Sequence, residues 1–138
     1  MAARKRGWVL NTSSVAGFQP GPNLAVYAAT KSFVTAFSES LHEELRSAGI
    51  VVTALCPGLT KTEFQSVSGS DAYAGGYPDV VWTSAEDVAR AGLAACARGR
   101  AMVVPGAVNK VLVTSTHFVP RSLVRRGAGV VMGNMRTV

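Results

Sequence analysis

Tyr27 and Lys31 stand four residues apart in a segment with helical periodicity, a spacing that puts a phenol and an ammonium on one face of a helix. A phenol ordinarily titrates at about 10, so it is a poor acid or base at neutral pH. A positive charge about 4 Å away favours the phenolate by roughly 4 kcal/mol at an effective dielectric of about 20. The pair is therefore suited to proton transfer near neutral pH.

A serine precedes this pair at a position that suits the same chemistry. Ser14 lies upstream of Tyr27, where a predicted strand ends. Its hydroxyl can hydrogen-bond the carbonyl or alkoxide oxygen that the tyrosine protonates. Taken alone, a Tyr-x-x-x-Lys motif is usually a surface pair, and a serine after a strand is usually a turn or cap residue. These residues indicate a catalytic site only in combination with the rest of the chain.

Short strands and long helices alternate along the chain. Strands are predicted over residues 8–12, 50–56 and 101–104, where the sequence is apolar or β-branched. A helix is predicted over residues 27–48 because apolar residues recur there every four positions, and another over residues 84–98 because Thr or Ser can cap its start. The alternation predicts an α/β fold with a parallel sheet.

The composition excludes several classes of protein. Of the 138 residues, 48% are hydrophobic and 16% are charged, which supports a core and excludes a disordered chain. No run of about 18 apolar residues spans a bilayer, and the first residues do not form a secretory signal. Cys56 and Cys96 lack any paired spacing, so reduced thiols and a cytoplasmic location are predicted. No metal site is predicted.

The positive charge is concentrated in the second part of the chain. Residues 1–87 hold six basic and eight acidic side chains, whereas residues 88–138 hold eight basic and no acidic ones. Such a basic segment can contact phosphates, acidic lipid or an acidic protein, or it can be a solvated surface balanced by charges elsewhere. Nucleic acid is not an expected partner, because aromatic residues do not alternate with the basic ones.

Three segments in order carry a resemblance to a known family. They read Asn-Thr-Ser-Ser-Val-Ala-Gly at residues 11–17, Tyr-Ala-Ala-Thr-Lys at residues 27–31, and Cys-Pro-Gly-Leu-Thr-Lys-Thr at residues 56–62. Together they resemble the short-chain dehydrogenase/reductase family over about residues 7–106. The resemblance implies a Rossmann-type doubly wound sheet. It also implies NAD- or NADP-dependent hydride transfer between a small-molecule alcohol and a ketone.

The resemblance implies specific roles for the residues in these segments. Tyr27 matches the family's catalytic acid/base, and Ser14 matches the serine that positions the substrate oxygen. Lys31 matches the lysine that favours the phenolate and binds the hydroxyls of the nicotinamide ribose. Pro57 and Gly58 match the turn that lines the nicotinamide. The remaining matches are Thr62, for the threonine that contacts the carboxamide, and residues 63–82, for the variable loop that closes over the substrate.

The sequence also departs from the family pattern. A dinucleotide-binding fold begins with a strand, a Gly-rich turn and a helix N-terminus that holds the pyrophosphate, and the short segment before Ser14 contains no such turn. We therefore expect the C-terminal half of the fold, with about three parallel strands and no adenosine or pyrophosphate site. Residues 1–106 are predicted to form this half-domain and residues 107–138 a basic, partly helical extension. An isolated chain of this kind is expected to be a truncated, inactive fragment.

Two alternatives to an enzyme stay open at this point. The chain can be a non-catalytic remnant or interaction module that pairs through the helix at residues 27–48. Members of the family use that helix in dimer interfaces, so the resemblance implies a homo-oligomer for the full-length protein. The chain can also be a peripheral binder of anionic surfaces, membranes included, through its basic C-terminal half.

Overall fold

Helices and short parallel strands alternate through the described part of the chain. The computed structural model describes residues 1–63, 67 and 77–133. In chain order the main elements are β1 (Gly7–Thr12), α1 (Ala25–Glu44), β2 (Ile50–Leu55), β3 (Thr60–Lys61), β4 (Thr83–Ser84), α2 (Ala85–Ala97), β5 (Met102–Val103), α3 (Ala107–Phe118) and α4 (Arg121–Gly133).

The main sheet has three parallel strands in the order β1–β2–β5. β1 pairs with β2 along its whole length, from Gly7 opposite Ile50 to Thr12 opposite Leu55. β5 pairs with the end of β2 through Met102 and Val103. The predicted α/β fold, its three parallel strands and the two long helices are confirmed. Helix α1 begins two residues earlier than predicted and ends at Glu44, after which a short 3-10 turn leads to β2.

The centre of the core is β2, because it is the middle strand and is covered on both faces. Successive residues of a strand point to opposite faces of the sheet. Leu55 packs against Gly92 of α2 on one face. On the other face Ala54 and Cys56, both fully buried, form a cluster with Val113 of α3. This burial on both sides explains why the strand is apolar throughout.

A second, two-stranded sheet was not predicted. β3 pairs in parallel with β4, with Thr60 opposite Thr83 and Lys61 opposite Ser84. Two-residue strands carry no readable periodicity, which is why the sequence did not reveal them. The pairing places the segment after β2 next to the start of α2. There the Ser84 hydroxyl caps the helix, as predicted, by accepting a hydrogen bond from Asp87 N (3.1 Å).

Two further features bear on the site. The loop expected over residues 63–82 falls mostly on residues 64–66 and 68–76, which lie outside the described residues. α3 and α4 follow β5 and are separated near Pro120. Across the described part of the chain, no helix is both long enough and apolar enough to cross a bilayer.

Candidate active site

The ends of β1 and β2 bring two of the predicted site segments together. Both strands run in the same direction, so the residues that follow them meet at one edge of the sheet. Ser13 N donates to Leu55 O (2.7 Å), and Val15 N donates to Pro57 O (3.0 Å). The Ser14 hydroxyl lies 3.5 Å from Pro57 O. The serine segment and the Pro57–Gly58 turn therefore form adjacent walls at the carboxyl edge of the sheet, where open α/β folds bind ligands.

Ser14 has a local structural role in this position. Its hydroxyl accepts a hydrogen bond from Ala16 N (3.2 Å) and so caps a short 3-10 helix, Val15–Phe18. The side chain is buried. The cap function that the sequence left open is thus present, and it holds the hydroxyl at the sheet edge.

Tyr27 and Lys31 lie on the same face of α1, one turn apart. The Lys31 ammonium is 5.7 Å from the centre of the Tyr27 ring, within the range of a cation–π contact. The same ammonium donates a hydrogen bond to Thr12 O (3.0 Å), at the last residue of β1. Both side chains are half-buried. The ammonium thus lies at the edge that Ser14 also occupies, with the Tyr27 ring beside it.

Buried hydroxyls fix α1 to the sheet just below Lys31. The Ser13 hydroxyl donates to Lys31 O (2.7 Å), and Thr35 Oγ1 lies 2.7 Å from Ser13 Oγ. Thr35 also contacts the Cys56 thiol at 3.9 Å. Burial raises the pKa of Cys56 above its ordinary value, although the hydroxyls of Thr35 and Ser13 act in the opposite direction. The thiol is therefore a packing group and not a nucleophile.

Gly17 sets how closely the serine segment approaches α1. A Cβ atom at this position would lie 2.8 Å from the carbonyl carbon of Lys31 and 2.9 Å from Ser32 N. Both are backbone atoms of the helix, so no side-chain rotation can relieve the overlap. The glycine in the first motif is therefore required by the contact between the serine segment and the helix of Tyr27.

Asn109 is a site residue that sequence reasoning missed. Its buried side chain lies against Gly58, where an added Cβ would come within 2.6 Å of Asn109 Cγ. Its amide nitrogen donates to Pro105 O (2.9 Å). The side chain therefore joins the Pro57–Gly58 turn to the turn after β5. In the sequence, Asn109 is recognisable only as a polar residue near the start of a largely apolar segment. This pattern does not predict which residues its amide contacts.

Thr62 lies just beyond β3 of the small sheet. It is exposed and directly follows β3, which pairs with β4 near the start of α2. The pairing fixes the chain as far as Lys61. Thr62 therefore lies on the segment that leaves the Pro57–Gly58 turn, beyond the part that the small sheet holds.

The donor chemistry of this edge fits the nicotinamide-ribose end of NAD or NADP. An ammonium has three N–H donors, and the described hydrogen bond to Thr12 uses one of them. A phenol beside it can both donate and accept a hydrogen bond. A ribose diol needs donors and acceptors of this kind at close spacing, and Lys31 and Tyr27 can supply them.

A cleft of about 380 Å³ lies against the two C-terminal helices. Leu112 of α3 and Val124 of α4 contribute apolar walls, with Val119 between the two helices. Gln19, which follows the short 3-10 helix Val15–Phe18, and Tyr77 also line it. The cleft is therefore mostly apolar, and Gln19 connects it along the chain to the segment that carries Ser14.

Comparison with known proteins gives one family. The family model described as "short chain dehydrogenase" matches residues 1–72, just over half of the chain. Residues of the chain are 45% identical over 67 positions to the mouse very-long-chain 3-oxoacyl-CoA reductase, covering 49% of this chain and 22% of that protein. An uncharacterized oxidoreductase of Myxococcus xanthus is 41% identical over 68 residues, covering 49% of this chain and 27% of that protein.

Solved structures agree with the sequence comparison. The Sphingobium yanoikuyae short-chain dehydrogenase in complex with NADPH is 26% identical with a TM-score of 0.66, covering 88% of this chain and 49% of that one. The Brucella melitensis 3-oxoacyl-[acyl-carrier protein] reductase with bound NAD is 31% identical with a TM-score of 0.60, covering 77% of this chain and 42% of that one. This chain therefore spans less than half of the length of either structure.

Proposed function

The chain belongs to the short-chain dehydrogenase family, and on that premise we propose that it carries the proton-transfer and nicotinamide-binding end of an NAD(P)-dependent oxidoreductase. The observation that supports this best is the position of the Lys31 ammonium, which contacts both the Tyr27 ring and the carbonyl of Thr12 at the strand edge. A surface pair would not be fixed to the end of a parallel strand, where ligands of α/β sheets bind.

The proposed reaction interconverts a ketone and an alcohol. A bound nicotinamide supplies or accepts the hydride at the reacting carbon. Tyr27 gives its hydroxyl proton to the carbonyl oxygen during reduction and takes it back during oxidation. Lys31 stabilises the phenolate that remains after the proton has left. The Ser14 hydroxyl donates a hydrogen bond to the substrate oxygen and so orients it toward the tyrosine.

The same residues have a second proposed role in holding the cofactor. Lys31 and Tyr27 would bind the hydroxyls of the nicotinamide ribose, and the Pro57–Gly58 turn would line the nicotinamide. Thr62 would hold the carboxamide. All of these residues address the nicotinamide end, which NAD and NADP share.

The substrate that we propose carries its carbonyl group on an apolar chain. The cleft that Gln19 lines, five residues after Ser14, is bordered by Leu112, Val119 and Val124, and it is large enough for several methylene groups. The names of the two reductases above, which concern oxoacyl groups, agree in chemical class. Longer alkyl ketones are then expected to react with higher kcat/KM than short ones.

The test uses the chain in a protein that supplies the nucleotide-binding half. The chain is joined to the C-terminal end of the N-terminal half of the Sphingobium dehydrogenase. This fusion protein is expected to consume NADPH in the presence of a medium-chain ketone, and the loss of nicotinamide absorbance measures the consumption. A folded protein that binds NADPH but reduces no ketone from short to long chain would contradict the proposal. The same protein with Tyr27→Phe serves as the matched variant.

A second candidate function is pairing through α1. Phe33 and Phe37 are 67% and 47% exposed, and their rings stack at 5.6 Å between centroids. A stacked aromatic pair on an exposed helix face favours contact with another apolar surface. If the chain pairs through this helix, Phe33→Ser with Phe37→Ser lowers the molar mass of the assembly measured in solution from that of a dimer toward that of a monomer. Ser40→Ala on the same helix does not.

A further inference from the structure

We propose that the C-terminal helical pair, α3 and α4 with the connection between them, docks on an anionic lipid surface. This inference is independent of the proposed reaction. It starts from apolar side chains that the helical pair leaves exposed. Val111 is 71% exposed, Phe118 82%, Leu123 55% and Val130 66%. Exposed apolar residues that recur along two consecutive helices mark an interaction surface more than single ones do.

The charge of the same segment is of one sign. Residues 107–133 contain four basic side chains and no acidic one: Lys110, Arg121, Arg125 and Arg126. All four are exposed. The described acidic residues that form ion pairs, among them Glu86 and Asp87 with Arg90, lie on other elements. Within the described helical pair, the basic groups are therefore not balanced by a neighbouring carboxylate of the same segment.

The apolar and basic groups adjoin one another on α4. Leu123, Arg126 and Val130 are spaced three and four residues apart, so they follow one face of the helix. Arg side chains can lay their methylene groups along an apolar surface and extend the guanidinium to phosphate groups. A helix of this kind lies in the interface plane, with its apolar residues among the acyl chains and its basic residues at the headgroups.

The connection between the two helices adds an exposed aromatic ring next to a cationic side chain. Phe118 ends α3, and Arg121 begins α4 two residues after the partly exposed Val119. An aromatic ring next to a cationic group suits the boundary between acyl chains and headgroups.

Two other partners fit these residues less well. A single-stranded nucleic acid needs several aromatic rings on which successive bases stack, and Phe118 is the one Phe, Tyr or Trp residue of α3 and α4. A second copy of this chain would bring two arginine-rich faces together, which is repulsive. Anionic lipid supplies both the phosphate charge and the apolar layer that the helical pair lacks.

The test measures co-sedimentation of the 138-residue chain with vesicles. Vesicles of equal parts phosphatidylcholine and phosphatidylserine are expected to bind the chain at least about tenfold more tightly than vesicles of phosphatidylcholine alone. Each basic group near an anionic surface strengthens the binding several-fold, and the helical pair carries four such groups. Added salt weakens the binding. Equal affinity for both vesicles, or tighter binding to a single-stranded oligonucleotide than to either, would overturn the proposal.

Variants separate the two components of the surface. Phe118→Ser with Leu123→Ser removes apolar contact, and Arg125→Gln with Arg126→Gln removes charge. Each pair is expected to lower vesicle affinity at least about tenfold. All four side chains are exposed, so thermal melting is expected to change little, and melting curves check this.

Matched controls lie on other elements. Leu93→Ser removes a leucine from α2 that is 66% exposed, slightly more than Leu123, and Arg46→Gln removes an exposed arginine near the end of α1. Both are expected to leave vesicle affinity unchanged. If the controls reduce binding as much as the α3–α4 variants do, the binding is a general property of a basic chain and the assigned surface is wrong.

Discussion

The Lys31 ammonium donates a 3.0 Å hydrogen bond to the carbonyl oxygen of Thr12, the last residue of β1. This bond links the helix that carries Tyr27 to the strand that leads into Ser14. Together with the Ser13 hydroxyl bond to Lys31 O, it holds this part of α1 against the end of β1. In the proposed mechanism Lys31 therefore acts through its charge and, through this bond, through its attachment of the helix to the strand.

Replacing Lys31 with Met removes the ammonium and keeps a long, unbranched side chain. In the fusion with the N-terminal half of the Sphingobium dehydrogenase, called the complemented enzyme below, kcat is expected to fall by at least about 10²-fold and KM for the cofactor to rise, because both the phenolate and the ribose lose their partner. Steady-state kinetics with varied NADPH measure the two changes separately. A variant with lower kcat and an unchanged KM for the cofactor would exclude the ribose contact.

Gly58 and Asn109 are expected to be energetically coupled. Gly58→Ala places a methyl group against the Asn109 amide and should lower the free energy of unfolding by about 1–3 kcal/mol. In an Asn109→Ala background the methyl group has room, so the cost should be smaller by about 0.5–3 kcal/mol. Urea unfolding of the four proteins measures the cycle.

The control for that cycle is Gly129→Ala, since a Cβ atom at Gly129 meets no described atom within 4 Å. Its effect on unfolding should be the same with and without Asn109. Equal costs of Gly58→Ala in both backgrounds would show that Asn109 does not support the turn.

Much of this arrangement follows from local sequence, and some of it does not. The apolar, β-branched run of β2 and the uninterrupted helical stretch around Phe33 predict their elements because burial imposes a period on each of them. The spacing of Tyr27 and Lys31 likewise predicts a shared face. The contact of Asn109 with Gly58 joins positions far apart in the sequence, and no local pattern encodes which distant turn a buried amide meets. The two-residue strands β3 and β4 are too short to show a period.

The buried thiol predicts an alkaline loss of stability. Because burial raises the pKa of Cys56, the thiol stays protonated in the folded chain while it ionises in the unfolded chain above about pH 8.5. The stabilising contribution of the Cys56 thiol to the free energy of unfolding is fully present below that pH. It is lost as the pH rises through the pKa of the folded chain. The free energy of unfolding should fall from about pH 8 to 10 more steeply for the wild type than for Cys56→Ala, by up to about 1.4 kcal/mol per pH unit. Parallel curves would show that the thiol ionises equally in both states.

The 138-residue chain by itself is expected to bind NAD or NADP weakly. The segment before Ser14 contains one glycine, Gly7, and no Gly-rich turn that could hold a pyrophosphate. The proposed contacts of Lys31 and Thr62 are a few hydrogen bonds, each contributing roughly 0.5–1.5 kcal/mol, or about 1.5–3 when charged. Titration with cofactor, followed by nicotinamide fluorescence and thermal melting, measures the affinity. A rise in Tm at micromolar cofactor would contradict this prediction.

The most direct test of the account is the turnover of Tyr27→Phe in the complemented enzyme, measured as consumption of NADPH with a medium-chain ketone. Loss of the single hydroxyl should leave melting and NADPH binding nearly unchanged and reduce kcat by about 10²–10⁴-fold. Ser40→Ala, which removes an exposed hydroxyl from the same helix, should keep full turnover. Turnover of Tyr27→Phe close to that of the parent enzyme would show that another group moves the proton, and the role assigned to Tyr27 and Lys31 would be wrong.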